Sequence, residues 1–162
     1  VYLNATNMTD EFNTFSLLVK SENPYREKVR MSFFTKWQRE TLVMQKWLSA
    51  QVVASDTSIE VMKELESSPV FDEQVPNLLR SLVGTFGSYN LLNLNKADGS
   101  GYAYFADKII AVDKFNPQIA AGLAKRLSHV SKLDDTRKAL LKKELNRILQ
   151  TEGLSNDTLE IV

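Results

Sequence analysis

The sequence predicts an all-α domain, and three observations predict it. Apolar side chains recur at steps of three and four along nearly the whole chain, the spacing of a helix with one buried face. Only 6 Gly and 4 Pro occur, and no stretch shows the alternation and tight turns of paired strands. Capping residues stand where one apolar stripe stops and the next begins, twice as the pair Asn-Pro. The richest concentration of large apolar side chains is Phe33 to Ala54, with Trp37 and Trp47 each preceded by a lysine. It reads as a helical hairpin whose two arms each anchor a Trp in one core.

In order, Val1 to Thr6 reads as a linker or the tail of an upstream helix. Asn7 is placed to cap a helix, with Asp10 near its positive end. Phe12, Phe15, Leu18 and Val19 form its stripe. Asn23-Pro24 signals a second start, and Val29, Phe33 and Trp37 then fall on one line. The pattern slips at Arg39 to Leu42 and resumes with Val43, Met44, Trp47, Leu48 and Ala50 or Gln51. Ser55-Asp56-Thr57 is expected to end that helix and cap the next, whose stripe is Ile59, Met62 and Leu65. Ser67-Ser68-Pro69 stops it.

Pro76 opens a helix with Leu78, Leu79, Leu82, Val83 and Phe86 inward. Gly84 and Gly87 are costly inside a helix, and imply close packing near Gly84 and an end near Gly87. Tyr89 to Gly101 reads as the longest irregular segment, with a turn at Asp98-Gly99 and a cap at Ser100. Tyr102, Phe105, Ile109 and Val112 continue the pattern. Asn116-Pro117 starts a helix carrying Ile119, Leu123, Leu127 and Val130, with His129 at its end. Asp134 or Asp135 opens the last long helix, with Ala139, Leu141, Leu145, Ile148 and Leu149, and Gly153 stops it. Ser155 caps a final short helix. The result is a superhelix of about eight or nine short paired helices, an ARM/HEAT-like helical repeat. A compact orthogonal bundle is the alternative arrangement of the same helices.

A chain of 162 residues suits one domain, taken here as 1–162 with 1–6 as linker. Lys plus Arg and Asp plus Glu are 20 each, so no net field draws nucleic acid or an anionic membrane, and neither partner is expected. No cysteine occurs, which excludes disulfides and thiolate chemistry and suits a cytoplasmic protein. No apolar run is long enough to span a bilayer. The N-terminal residues lack the pattern of a signal peptide and begin without Met, so the chain reads as a piece of a longer protein.

Few residues suggest chemistry. Phe33, Trp37 and Trp47 read as core, and Lys36 and Lys46 as solvated side chains pointing away from the tryptophans. His129 stands without a sequence partner, so neither a triad nor a zinc site made within this chain is expected. Asp98 to Gly101 lacks the lysine of a phosphate loop and the acidic repeat of an EF-hand. Arg137, Lys138, Lys142, Lys143 and Arg147 read as a solvated face, and the glycosylation patterns at Asn4, Asn7 and Asn156 are short enough to arise by chance. Arg80 differs. It lies within the apolar stretch Leu78 to Phe86, where a charge must face either water on the polar side or an interior channel. In a channel its guanidinium would fork onto a peptide carboxylate.

Five segments occur together in order: NMTD from Asn7, KW at Lys36 with LVMQKW from Leu42, RSLVGTF from Arg80, ADGSGY from Ala97, and NPQIA from Asn116. In this combination the chain resembles the C-terminal domain of M1 zinc aminopeptidases of the aminopeptidase N (alanyl aminopeptidase) type, the bacterial branch above all. The resemblance implies a four-domain parent that removes N-terminal residues from peptides. Zinc and the HExxH and GAMEN motifs would belong to the parent's catalytic domain. None of those motifs occurs here, so the chain itself is expected to be non-catalytic and without cofactor. The resemblance further implies a superhelix that closes over the catalytic domain of the same polypeptide and lines the chamber admitting peptide substrates. By position, Arg80 and Gln118 match family residues that look into that chamber, while a third such position, an Arg in the family, is Gly122 here. The alternative function is a free-standing helical-repeat module for protein–protein interaction.

Overall fold

The first three helices close around an aromatic cluster. In the computed structural model, which describes residues 2–162 apart from the side chain of Val130, they are α1 (Met8–Lys20), α2 (Arg26–Trp37) and α3 (Thr41–Val52). Val1 and the expected inward place of Val130 therefore lie outside the described residues. Ahead of α1, Tyr2–Asn4 make one 3-10 turn, and Tyr2 packs on the core. Asn7 caps α1 as expected, its side chain accepting from the Asp10 N–H at 2.9 Å. Asn23 closes α1 rather than opening α2: its Nδ2 donates to the Leu18 carbonyl at 2.8 Å. Its Oδ1 accepts from the Tyr25 N–H, which turns the chain so that α2 begins at Arg26. Phe15 and Phe33 are fully buried and stack with centroids 4.3 Å apart.

The two tryptophans do not share one fate. Trp47 is 2 % exposed, and its indole N–H donates to the Arg30 carbonyl at 3.3 Å. Trp37 sits at the edge, half-buried, and donates to Oε1 of the buried Glu11 at 3.1 Å. Lys36 does not turn away: its Nζ meets Glu11 Oε2 at 2.8 Å and stands 4.9 Å from the Trp37 ring centre. Charge explains the difference. Glu11 lies on the stripe side of α1 and needs partners once buried, and α2 supplies a cation and an N–H within two residues.

Beyond the hairpin, α4 (Ile59–Glu66) is capped by Ser58, which accepts from the Val61 N–H, rather than by Ser55 to Thr57. Thr57 is buried instead and donates to the Gln51 carbonyl at 2.7 Å. Next, α5 (Pro76–Leu79), a π turn (Arg80–Gly84) and α6 (Thr85–Tyr89) run on as one helical body, with all five predicted inward residues buried. The expected irregular segment contains α7 (Leu91–Leu94). Buried Asn90 caps it, accepting from the Asn93 N–H, and donates to the Val52 carbonyl at 2.7 Å. Gly99, at φ 76°, turns the chain into α8 (Ser100–Asp113), and Asp98 accepts from both the N–H and the hydroxyl of Ser100.

The helix expected to run from Asn116 to His129 is α9 (Pro117–Ala124) followed by a 3-10 stretch, Lys125–Lys132. Asp134 caps α10 (Asp135–Leu149), and Ser155 caps α11 (Asn156–Leu159). On α10 the buried face is Leu141, Glu144 and Ile148, with Leu140 and Leu145 packed beside it, while Ala139 and Leu149 face out. Arg147 makes the buried glutamate tolerable, donating to Glu144 at 2.6 Å. Helices pack in succession: α1 with α2 and α3, α3 with the π turn, α8 with α9 and α10, and α9 with α11. One continuous apolar core runs through them.

Candidate functional site

Arg80 begins the π turn. Widening a helix by one residue frees backbone groups, and hydroxyls take them up here. Ser81 donates to the Asn77 carbonyl at 2.7 Å, and Ser49 of α3 donates to the Ser81 carbonyl at 2.9 Å. Arg80 itself is exposed, its Nη1 3.1 Å from Asn77 Oδ1. Of the two placements open to it, the chain alone presents it to solvent.

Gln118 and Gly122 lie exposed on α9, and a Cβ at Gly122 would meet nothing within 4 Å. Two lines of residues at four-residue spacing result: Arg80, Gly84 and Ser88 on the π–α6 body, and Gln118, Gly122 and Arg126 on α9 and its continuation. The α6 helix packs against the 3-10 stretch that carries Arg126, so the two lines meet at their Ser88 and Arg126 ends.

Arg126 joins them. Its Nε donates to Ser88 Oγ at 2.8 Å, and its Nη1 donates to the Gly122 carbonyl one turn back. A Cβ at Gly87 would lie 3.1 Å from Arg126 Cδ and 2.4 Å from Phe105 Cζ, so the glycine seats both side chains. The close packing predicted near Gly84 is therefore at Gly87, and α6 continues past it to Tyr89. At Gly84 a Cβ would stand 3.6 Å from Arg126 Nη2 and 3.7 Å from Arg80 Cβ. Burial, and then the charge of Arg80, hold the Arg126 guanidinium below its ordinary value. Among the described residues, neither Arg80 nor Arg126 pairs with a carboxylate. Sequence reasoning missed Arg126. Its only signal was periodic, four residues after Gly122 and eight after Gln118.

His129 is half-buried and structural in its contacts. Nδ1 lies 2.9 Å from the Arg126 carbonyl and Nε2 3.2 Å from Asn95 Oδ1. Among the described residues no three His, Cys, Asp or Glu side chains converge as metal ligands. With both ring nitrogens of the single histidine engaged, the donor set of this chain does not fit zinc.

Eleven short α-helices in the described residues, packed successively around one core, make this a helical-repeat domain. The chain belongs to the family described as "Domain of unknown function (DUF3458_C) ARM repeats", which matches residues 1–162. It is 38% identical over 160 residues to aminopeptidase N of Haemophilus influenzae and 35% identical over 158 residues to that of Caulobacter vibrioides, covering 98% and 97% of this chain. Aminopeptidase N of Escherichia coli is 30% identical over 157 residues. Among solved structures, the crystal structure of Legionella pneumophila aminopeptidase A in complex with aspartic acid superposes with a TM-score of 0.88 at 27% identity, over 96% of this chain. This chain spans 18% of the length of each of these proteins. The expected repeat architecture and the kinship with aminopeptidases both hold.

Proposed function

We propose that this chain is the non-catalytic helical-repeat domain of a zinc-dependent aminopeptidase. In this reading it closes over the catalytic domain of the same polypeptide and lines the chamber through which peptides reach N-terminal cleavage, with Arg80 and Gln118 facing that chamber. One observation carries the reading: the similarity to aminopeptidase N extends over nearly the whole chain, at 30–38% identity, yet takes up only 18% of those proteins. The same observation counts against a free-standing interaction module. The exposure of Arg80 and Gln118 supports their role, because a solvated guanidinium and amide are free to meet a ligand. The zinc would be held elsewhere in the polypeptide. No helix of the described residues is long and apolar enough to cross a membrane, and the proposal includes a cytoplasmic site of action, which a chain without cysteine suits.

The test uses the whole polypeptide that carries this domain. Arg80→Ala should raise KM for tri- and tetrapeptides about five- to tenfold, the range expected for losing one hydrogen bond to a charged group. KM for alanyl-p-nitroanilide, too short to reach the domain, should change by less than about twofold. Equal effects on both would remove Arg80 from the peptide path. Hydrolysis of the anilide by the 162-residue chain alone would overturn the non-catalytic assignment.

A further inference from the structure

We infer that the cleft between α2 and α4 binds an ammonium group carried on an apolar stem, with Gln51 Oε1 as its acceptor. The inference goes beyond the peptide-chamber reading and does not depend on it.

Three features carry it. The first is shape. The cleft holds about 720 Å³, a size that suits a small ligand or one long side chain. Its most deeply set side chains include Trp47, Gln51 and Leu65, none more than 5 % exposed. Phe34 and Trp47 make an aromatic wall, their ring centres 5.2 Å apart, and Val61 and Leu65 line the cleft from α4.

The second is an unmatched acceptor. Gln51 Nε2 donates to the Trp47 carbonyl at 3.1 Å. A carbonyl oxygen only accepts, so this bond settles which end of the amide is which. Oε1 is left over, with no donor among the described residues. Among those residues no side-chain polar atom is both sealed from solvent and unpartnered, so Oε1 stays open, and the cleft that Gln51 lines is its opening. An acceptor set this deep keeps little of its hydration, and a ligand N–H restores what burial removes.

The third is the sign of the charge. The two guanidiniums of the cleft are already matched: Arg30 forks onto Glu27 at 2.6 and 2.8 Å, and Arg26 pairs with Asp56. Glu64, exposed on α4, makes no ion pair among the described residues. Two arginines thus stand against three carboxylates, and the excess charge at the mouth is negative. A cation with N–H donors suits both that excess and the free acceptor below it, and a carboxylate suits neither. The apolar walls take the stem.

A free amine and the lysine side chain of a polypeptide share this chemistry, and the experiment separates them. Dissociation constants are measured by ligand-observed NMR titration of the whole polypeptide at low salt. The probes are phenethylamine, 2-phenylethanol and 3-phenylpropionate, one stem with a positive, a neutral and a negative end, together with Nα-acetyl-lysine methylamide. Wild type should bind phenethylamine about tenfold more tightly than the alcohol, and the propionate most weakly. Gln51→Leu should weaken phenethylamine about tenfold. Gln51→Met, closer in shape, should do the same and decides the matter if leucine disturbs the fold. Glu64→Gln, at an exposed position, should lower the preference for amine about two- to threefold and make it less sensitive to salt. A circular-dichroism spectrum like that of wild type shows each variant folded. If the lysine derivative binds as well as phenethylamine, a polypeptide lysine is the source. If phenethylamine alone binds, the source is a free amine.

A wild type that holds the alcohol or the propionate as tightly as the amine overturns the inference. So does amine binding that both Gln51 variants leave unchanged, because the amine is then held elsewhere in the polypeptide. An amine preference that depends on Gln51 in a polypeptide without peptidase activity would sink the proposed function and leave the cleft standing. Peptidase activity without that preference would do the reverse.

Discussion

The hairpin α1–α3 and the seam between α6 and the 3-10 stretch Lys125–Lys132 treat charge in opposite ways. In the hairpin, a carboxylate drawn into the aromatic face is met twice, by Lys36 and by the Trp37 indole. In the seam, the half-buried Arg126 guanidinium lies beside Gly84 and is held by Ser88 Oγ and the Gly122 carbonyl, with no carboxylate partner among the described residues. Burial favours internal pairing wherever the chain alone must be stable, because an unpaired embedded charge costs more than a single bond returns. A half-buried cation with neutral acceptors alone is tolerated where solvent still reaches it. The difference is one of pairing: the buried carboxylate of the hairpin is matched within the chain, and the half-buried guanidinium of the seam meets only neutral acceptors among the described residues.

That contrast predicts where mutations act. The largest effect on folding belongs to the hairpin: Phe33→Ala removes the ring stacked on Phe15 and should cost about 3–5 kcal/mol in urea unfolding. Glu11→Ala strands the Trp37 N–H and removes the partner of Lys36, and should cost about 1–3 kcal/mol. Arg126→Gln, by contrast, removes a half-buried cation without a carboxylate partner among the described residues and should move stability by less than about 1 kcal/mol. A stability loss as large as that of Glu11→Ala would erase the distinction between the two regions.

The smallest effect depends on pH and falls on Asp113 of α8. This carboxylate has all its partners within the chain: the Ser155 N–H at 2.7 Å, and the Ser155 and Thr158 hydroxyls at 2.5 Å each. Burial pushes it up, but the hydrogen bonds from Ser155 and Thr158 outweigh burial and hold it below its ordinary value of 3.8. A carboxyl more acidic folded than unfolded stabilises fully above the unfolded value, and that contribution fades as the solution becomes more acid. The stability difference between wild type and Asp113→Asn should therefore be constant near neutrality and shrink below about pH 4. A difference that stays flat into acid would mean that Asp113 is held for its shape rather than its charge.

Local signals in the sequence reached most of the helices and missed the side chains that bridge them. Asn7, Asn116, Asp134 and Ser155 cap where their side-chain chemistry predicts, because a cap involves only the next three residues. The inward set Leu78, Leu79, Leu82, Val83 and Phe86 also follows from spacing alone. Asn23 and Asn90 were harder. Each bonds to a carbonyl beyond its own helix start, Leu18 and Val52, so its job is set by a neighbour rather than by its own segment. Gly101 gave no warning either, though a Cβ there would lie 2.3 Å from the Asn93 carbonyl oxygen. Of the candidate site, Arg80 and Gln118 were named from the sequence. Arg126 was not, since its partners Ser88 and Gly84 lie roughly forty residues away.

By itself, then, the sequence determined the helical class, most of the helix limits and the aromatic hairpin, because periodicity and capping are properties of a few consecutive residues. It could not separate Trp47, buried, from Trp37, at the edge, since both sit on equivalent apolar stripes. Only the tertiary structure decided that Glu11 turns inward, that Gly87 rather than Gly84 seats Phe105, and that Arg126 reaches across to Ser88. Each of these is a meeting of side chains from different helices, and the energy of such a meeting depends on distance in space, which spacing along the chain does not encode.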